Sequence, residues 1–132
     1  MKILIAEDDF ISRTLLQEML SPLGICHVAM DGQEAMAAYK QALEMKEPYD
    51  LVCLDIMMPH LNGQEVLRQI RDIEKERGIW GSDMTRIIMV TALDDAKNIM
   101  AALMKGSCDA YLVKPVDREK LLAEIKKMGL VA

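Results

Sequence analysis

The feature that most constrains the fold of this chain is the apolar run Leu51-Val52-Cys53-Leu54, which ends in the carboxylate of Asp55. Four apolar residues in a row are typical of a strand that is buried on both faces, as in a parallel sheet covered by helices. Pro59 marks the loop that follows. Ligands of open α/β sheets bind at the carboxyl ends of the strands, so Asp55 is a candidate functional residue. An ordinary loop or capping aspartate fits this stretch equally well, so the choice between the two interpretations of Asp55 depends on the rest of the chain.

Further apolar runs, each followed by apolar residues at helical spacing, predict four more strands. These runs cover residues 2–6, 25–29, 87–90 and 110–113. His27 alternates with apolar neighbours, which favours an edge position for its strand. Helix starts are predicted after the acidic run at Glu7, at Asp31 with Glu34 as a capping box, after Asn62-Gly63, at Asp94 or Asp95, and at Asp117. The strand-helix alternation predicts an α/β fold with a five-stranded parallel sheet and helices on both faces.

Composition narrows the possible classes of protein. The 132 residues fit a single domain over residues 1–132, and a hydrophobic content of 52% allows a substantial core. A net charge of -5 argues against direct DNA binding, which requires a basic surface. No apolar run approaches the ~20 residues of a membrane span, so we expect no membrane insertion.

Cys26, Cys53 and Cys108 are scattered and indicate reduced, buried thiols in a cytoplasmic protein. We interpret Trp80, in a loop, as a packing residue.

Carboxylates follow two of the predicted strands. Glu7, Asp8 and Asp9 come directly after the first strand, and Asp55 ends the third. In a sheet ordered 2-1-3-4-5 these two strands are neighbours, so their carboxylates converge. Because clustered carboxylates repel one another, a cation among them would stabilise the site. Oxygen ligands of this kind suit Mg²⁺, which binds through one or two carboxylates together with a phosphate.

The last two strands end in groups that complement a phosphate. Thr91 supplies a hydroxyl donor after the fourth strand, and Lys114 supplies a compact positive charge after the fifth. Together they would hold the oxygens of a phosphoryl group carried on Asp55. Carboxylates act as nucleophiles toward phosphoryl donors, and this transfer depends mainly on positioning and charge neutralisation.

With these motifs the chain resembles the receiver domains of response regulators, the CheY-like family of bacterial two-component signalling, over almost its whole length. The resemblance is carried by motifs at the strand ends: Glu7-Asp8-Asp9, Asp55 to Pro59 followed by Asn62-Gly63, Thr91-Ala92, and Tyr111-Leu112-Val113-Lys114-Pro115. Each residue alone has an ordinary alternative, such as a helix cap, a β-branched strand residue, a surface lysine or a core tyrosine. Their joint occurrence in order favours the family, whose strand order is 2-1-3-4-5.

The resemblance implies a role for each residue of the acidic site. Asp55 would be the phosphorylated aspartate, and Asp8 would bind Mg²⁺ directly while Glu7 acts through water. The third protein ligand would be the backbone carbonyl of Met57, whose side chain departs from the polar residues common at that position. Asp9 fits a helix-cap role as well as a metal role.

The resemblance also implies a switch. Thr91 and Tyr111 would transmit phosphorylation to the surface formed by the helix before Gly106, the strand at residues 110–113 and the last helix. Pro115 would form a cis peptide with Lys114, the lysine that contacts the phosphoryl group.

The implied function is a signalling switch that accepts a phosphoryl group from a sensor histidine kinase or a histidine phosphotransfer protein. Such a protein is a regulator, and it catalyses only its own phosphorylation and dephosphorylation. One alternative is a phosphotransfer intermediate in a relay. An aspartyl-phosphate phosphohydrolase would need a second Asp where Met57 stands, as well as a cap domain. A flavin-binding module would need a Ser/Thr/Gly-rich loop where Glu7-Asp8-Asp9 stands.

Overall fold

The computed structural model describes residues 1–92 and 108–131. Its strands are β1 (Lys2–Ala6), β2 (Ile25–Ala29), β3 (Leu51–Asp55), β4 (Arg86–Thr91) and β5 (Ala110–Val113). They form one parallel sheet in the order β2-β1-β3-β4-β5. The predicted fold class and strand order are therefore confirmed, and β2, which carries His27, lies at the edge of the sheet.

Four α-helices are described, and each is preceded by a residue whose side chain caps it. They are α1 (Phe10–Leu20), α2 (Gly32–Glu44), α3 (Gly63–Glu76) and α4 (Arg118–Lys127). The side chains of Asp9, Asp31, Asn62 and Asp117 each accept a hydrogen bond from the backbone N–H three residues later. The helix predicted from Asp94 or Asp95 to Gly106 lies outside the described residues. Within the described part of the chain, no helix has the length and apolar content needed to cross a membrane.

The helices cover both faces of the sheet and form two core clusters. One cluster packs α2 and α3 on the sheet, and Tyr39 and Ile70 are fully buried in it. The other packs α1 and α4 on the opposite face through residues such as Leu20 and Leu121. All five residues of β3 are buried. The two layers thus fix β3, and Asp55 at its end, in the middle of the molecule.

Several apolar side chains of the N-terminal helix lie on the surface. Of the apolar residues whose spacing predicted α1, Leu16 and Leu20 are buried, but Phe10 is 69% exposed, Ile11 68% and Leu15 47%. A helix on a sheet buries one stripe, and these three residues lie outside that stripe.

Two expectations about isolated side chains need correction. Trp80 is 65% exposed, so its interpretation as a packing residue was wrong. It stands between Gly78 and Gly81, both with positive φ, in a connection without the periodicity that ties a side chain to the core. Cys53 and Cys108 are buried as expected, whereas Cys26 on the edge strand is partly exposed.

Candidate functional site

Three carboxylates meet where the neighbouring strands β1 and β3 end. Ala6 pairs with Leu54, so the residues that follow them, Glu7 and Asp55, lie side by side at the carboxyl ends of β1 and β3. Glu7, Asp8 and Asp55 each have a carboxylate oxygen within 4.8 Å of the others. Glu7 and Asp55 are buried, while Asp8 is exposed. The cluster is therefore held by the sheet and open to solvent on one side.

Lys114 brings a positive charge to this cluster from the end of β5. Its Nζ donates to Glu7 Oε1 at 2.6 Å and lies 3.4 Å from Asp55 Oδ2. The backbone N–H of Lys114 donates to the carbonyl of Thr91 at 2.7 Å, and the peptide bond to Pro115 is cis. Lys114 thus bridges the acidic groups of β1 and β3.

The charges in the site shift the protonation of Asp55 and Lys114. Burial, a hydrogen bond with Glu7 and the negative charge of Glu7 raise the pKa of Asp55 from 3.8 to about 7, although Lys114 opposes the shift. Burial alone would lower the pKa of Lys114, but its hydrogen bond to Glu7 and the charges of Asp55 and Glu7 outweigh this effect and raise it. In this arrangement the Asp55 carboxyl is only partly ionised at neutral pH.

The donor set fits a hard divalent cation. Glu7 Oε2 is buried and has no hydrogen-bond partner among the described residues. Leaving such an oxygen unpaired is unfavourable, and a cation beside it would satisfy it. The groups in the cluster are carboxylate oxygens, which Mg²⁺ prefers in proteins. Glu7, Asp8 and Asp55 are thus the residues that would hold this ion.

Two other residues near the cluster have defined positions. The backbone N–H of Met57 donates to Asp55 Oδ1 at 3.3 Å, and the Met57 side chain is exposed at the mouth of the site. Asp9, for which a cap and a metal role were both open, caps α1 by accepting from the N–H of Ser12 at 2.9 Å. That hydrogen bond holds the pKa of Asp9 below its usual value.

The two residues with an implied switching role lie on adjacent strands. Thr91 ends β4, is fully buried and donates through Oγ1 to the carbonyl of Ala92 at 3.1 Å. Tyr111 on β5 pairs with Met89 on β4, is partly buried and packs against the core cluster of α2 and α3. The tyrosine ring therefore contacts the core in this structure while part of it remains accessible.

Two features of the site were not found from the sequence. The guanidinium of Arg13 donates to the carbonyl oxygens of Glu7 at 3.0 Å and Asp8 at 3.3 Å, and so ties the acidic turn to α1. Nothing in the helical pattern distinguishes Arg13 from a solvent-exposed arginine. A groove of ≈ 350 Å³ also lies beside Lys114, between α1 and the turn before α4. The exposed Ile11 and Leu15 line one of its walls. The only available signal was that α1 carries more apolar residues than one stripe can bury.

Comparisons with known proteins agree with this geometry. The family model for the response regulator receiver domain matches residues 3–126. The response regulator ArlR of Staphylococcus saprophyticus is 37% identical over 128 residues, which are 96% of this chain and 51% of ArlR. A probable histidine kinase 2 of rice is 30% identical over 135 residues, but this match covers only 12% of the kinase. The chain thus spans about half the length of this response regulator and a small part of the kinase.

Solved structures with the same fold include isolated and bound receiver domains. A receiver domain from Clostridium thermocellum has a TM-score of 0.77 and 26% identity, with 96% of this chain and 92% of that one covered. A structure of the Saccharomyces cerevisiae phosphotransfer protein Ypd1 with the receiver domain of its response regulator Ssk1 gives a TM-score of 0.81 and 31% identity. That match covers 98% of this chain and 88% of the other.

Proposed function

Because this chain belongs to the response regulator receiver family, we propose that it is a signalling switch in which Asp55 accepts a phosphoryl group. The observation that carries the proposal is the placement of Asp55 at a central strand end, 3.4 Å from Lys114 and within 4.8 Å of Glu7 and Asp8. This combination provides a nucleophile, a positive charge and a cation site around one point, which is what phosphoryl transfer requires.

In the proposed reaction, a carboxylate oxygen of Asp55 attacks the phosphorus of a phosphohistidine. A P–O bond forms as the P–N bond breaks, and the donor imidazole keeps the electron pair and takes up a proton. Lys114 stabilises the phosphoryl oxygens, and the Thr91 hydroxyl donates to one of them. Mg²⁺, held by Asp8, Asp55, the Met57 carbonyl and Glu7 through water, would neutralise charge on the carboxylates and on the phosphoryl group. Hydrolysis of the aspartyl phosphate by water returns the protein to its starting state.

The partner in this proposal is a sensor histidine kinase or a histidine phosphotransfer protein. Support comes from the groove beside Lys114, where Ile11 and Leu15 present apolar surface next to Pro115. A protein that delivers a phosphohistidine to Asp55 has to contact the surface around the site, and exposed apolar side chains provide binding energy there. The similarity to a receiver domain solved with Ypd1 agrees with a partner of this kind.

The output of the switch is assigned to Thr91 and Tyr111. A phosphoryl oxygen on Asp55 would draw the Thr91 hydroxyl toward it and open space beside β5. The Tyr111 ring, already in contact with the core, would move further inward to fill that space. Phosphorylation would then bias one of two packings of this ring and change the surface around β5 and α4.

Intact mass spectrometry tests the proposal. The protein is incubated with acetyl phosphate and Mg²⁺, and we expect the mass of one phosphoryl group to be added. Asp55→Asn should not gain it. Asp83→Asn, which changes an exposed carboxylate before the start of β4 and so at the opposite end of that strand from Thr91, should gain it as the wild type does. A phosphorylated Asp55→Asn protein would show that the acceptor is another residue.

A further inference from the structure

The N-terminus of α2 touches the loop at residues 56–62, which follows Asp55 and is named here the acceptor loop. Gly32, the first residue of α2, is buried against it. A Cβ atom at position 32 would lie 1.8 Å from the carbonyl oxygen of Leu61 and 2.6 Å from its carbonyl carbon. These are backbone atoms, so a side chain at Gly32 would require the loop or the helix to move.

The acceptor loop is also confined on its other side. A Cβ atom at Gly63, the residue after the loop, would lie 2.3 Å from the carbonyl oxygen of Asp55. The N–H of Gly63 donates to the carbonyl of Ile56 at 2.9 Å. The loop therefore closes onto the end of β3 and has little room to absorb a displacement at Leu61.

The turn between β2 and α2 is connected to the acidic side of the site as well. The N–H of Glu7 donates to the carbonyl of Ala29 at 3.1 Å, two residues before the cap of α2 at Asp31. The same turn thus contacts the strand end that carries Glu7 and, through Gly32, the loop that carries Met57. The distance between the end of β1, which carries Glu7, and the acceptor loop, which carries Met57, therefore depends on how closely α2 approaches the loop.

We infer that Gly32 is a positioning residue, whose lack of a side chain sets the distance between the acceptor loop and the carboxylates of Glu7 and Asp8. The inference rests on the proposed function of the site as a Mg²⁺-dependent phosphoryl acceptor. Alanine is a better helix former than glycine, so at a helix position without this contact Gly→Ala would be neutral or stabilising. At Gly32 it displaces the loop and weakens the site.

Isothermal titration with Mg²⁺ tests this role in the full chain. We expect Gly32→Ala to bind Mg²⁺ about tenfold more weakly than the wild type, a loss typical of residues that orient metal ligands. Gly78→Ala is the control, because Gly78 also has no side chain but has nothing within 4 Å of a Cβ atom and lies in the connection after α3. Because Gly78 has a positive φ, Gly78→Ala should lower the stability of the protein but leave its Mg²⁺ affinity unchanged. Circular dichroism at the titration temperature establishes that each variant is folded.

A folded Gly32→Ala protein with wild-type affinity for Mg²⁺ would overturn the inference. If Gly32→Ala does not fold, NMR of the wild type decides. Addition of Mg²⁺ should shift the amide resonance of Gly32, although Gly32 is not a metal ligand, and leave that of Gly78 unchanged. An unshifted Gly32 resonance, when the resonances of Asp8 and Met57 do shift, overturns the positioning role alone. A wild type that binds no Mg²⁺ contradicts the proposed function and removes the basis of the positioning role as well.

Discussion

The carboxyl group of Asp55 is surrounded by groups that act on its protonation in opposite directions. Burial and Glu7 favour the neutral acid, Lys114 favours the carboxylate, and the resulting pKa is about 7. This value is above that of an aspartate in the unfolded chain, about 3.9. Between these two values the folded state holds a proton that the unfolded state has lost. The contribution of Asp55 to the stability of the cation-free fold is therefore present at low pH and is lost as the pH rises through about 7.

Asp55→Asn should remove this pH dependence. Near pH 8 the wild type carries an ionised Asp55 beside Glu7, so in EDTA we expect the variant to have a free energy of unfolding at least about 1 kcal/mol higher. Near pH 5 the difference should be smaller, because only part of the loss that accumulates between about 3.9 and about 7 has occurred there. Urea denaturation at the two pH values measures this, with Asp83→Asn as the control. An equal effect of Asp55→Asn at both pH values would show that Asp55 does not titrate in this window.

The apolar runs predict that Glu7, Asp8, Asp55 and Lys114 lie together at the carboxyl ends of the strands, because these runs define where parallel strands end. Nothing in the sequence indicates that Lys114 donates to Glu7 at 2.6 Å or that Arg13 ties the acidic turn to α1. The conformation of a long flexible side chain depends on all its neighbours, and no periodic pattern encodes it.

At the scale of elements, α1 is the helix whose packing differs most from what its pattern suggested. Its spacing of apolar residues predicted the helix, but the sheet buries Leu16 and Leu20 and leaves Phe10, Ile11 and Leu15 exposed. Helical periodicity indicates that a face exists, whereas the width of the buried stripe depends on the neighbouring elements. Of these exposed residues, Ile11 and Leu15 lie beside Lys114, where a phosphohistidine donor would approach Asp55.

Ile11→Glu should therefore slow phosphorylation by a protein donor but not by a small-molecule phosphoryl donor. We expect phosphotransfer from a phosphorylated histidine phosphotransfer protein to slow by about tenfold, as for loss of an apolar interface anchor. Phosphorylation by acetyl phosphate should be unchanged, because Ile11 is exposed and the fold does not depend on it. Stopped reactions followed by mass spectrometry measure both rates. Met45→Glu, at another exposed apolar residue at the end of α2, should affect neither, and equal slowing with both donors would contradict the docking role of α1.

The adjacent strands β4 and β5 carry the proposed switch. Thr91→Ala should still accept a phosphoryl group on Asp55 but should no longer transmit it to Tyr111, because the hydroxyl that moves toward the phosphate is missing. NMR of the Tyr111 ring with and without beryllofluoride, a phosphoryl mimic, measures the coupling. The ring resonances should shift in the wild type and stay in place in Thr91→Ala. Matching shifts in the two proteins would contradict this route.

At the scale of the whole molecule, two helical layers bury β3 and hold its carboxylates together. This architecture was predictable, since uninterrupted apolar runs alternating with helical spacing indicate a parallel sheet with covered faces. The exposure of Trp80 was not predictable, because a connection without periodicity gives no signal of burial or exposure. Clustered carboxylates at the strand ends destabilise such a fold unless a cation separates them.

Mg²⁺ should therefore stabilise the entire fold. A ligand that binds only the folded state adds about 2.7 kcal/mol to the free energy of unfolding at a hundred times its Kd. Thermal unfolding with and without Mg²⁺ should show a higher Tm in the wild type and little change in Asp8→Ala. Asp83→Ala should respond to Mg²⁺ as the wild type does. An equal rise of Tm in Asp8→Ala would place the stabilising ion elsewhere.

Chemical trapping shows directly, at the level of the atom, whether Asp55 forms the aspartyl phosphate. Borohydride delivers hydride to the carbonyl carbon of an acyl phosphate, phosphate leaves, and further reduction converts the aspartate to homoserine. After incubation with acetyl phosphate and Mg²⁺, reduction and proteolysis, peptide mass spectrometry locates the homoserine. We predict it at position 55, dependent on Mg²⁺ during phosphorylation. Homoserine at another position, or a phosphorylated protein that yields none at position 55, would contradict the account.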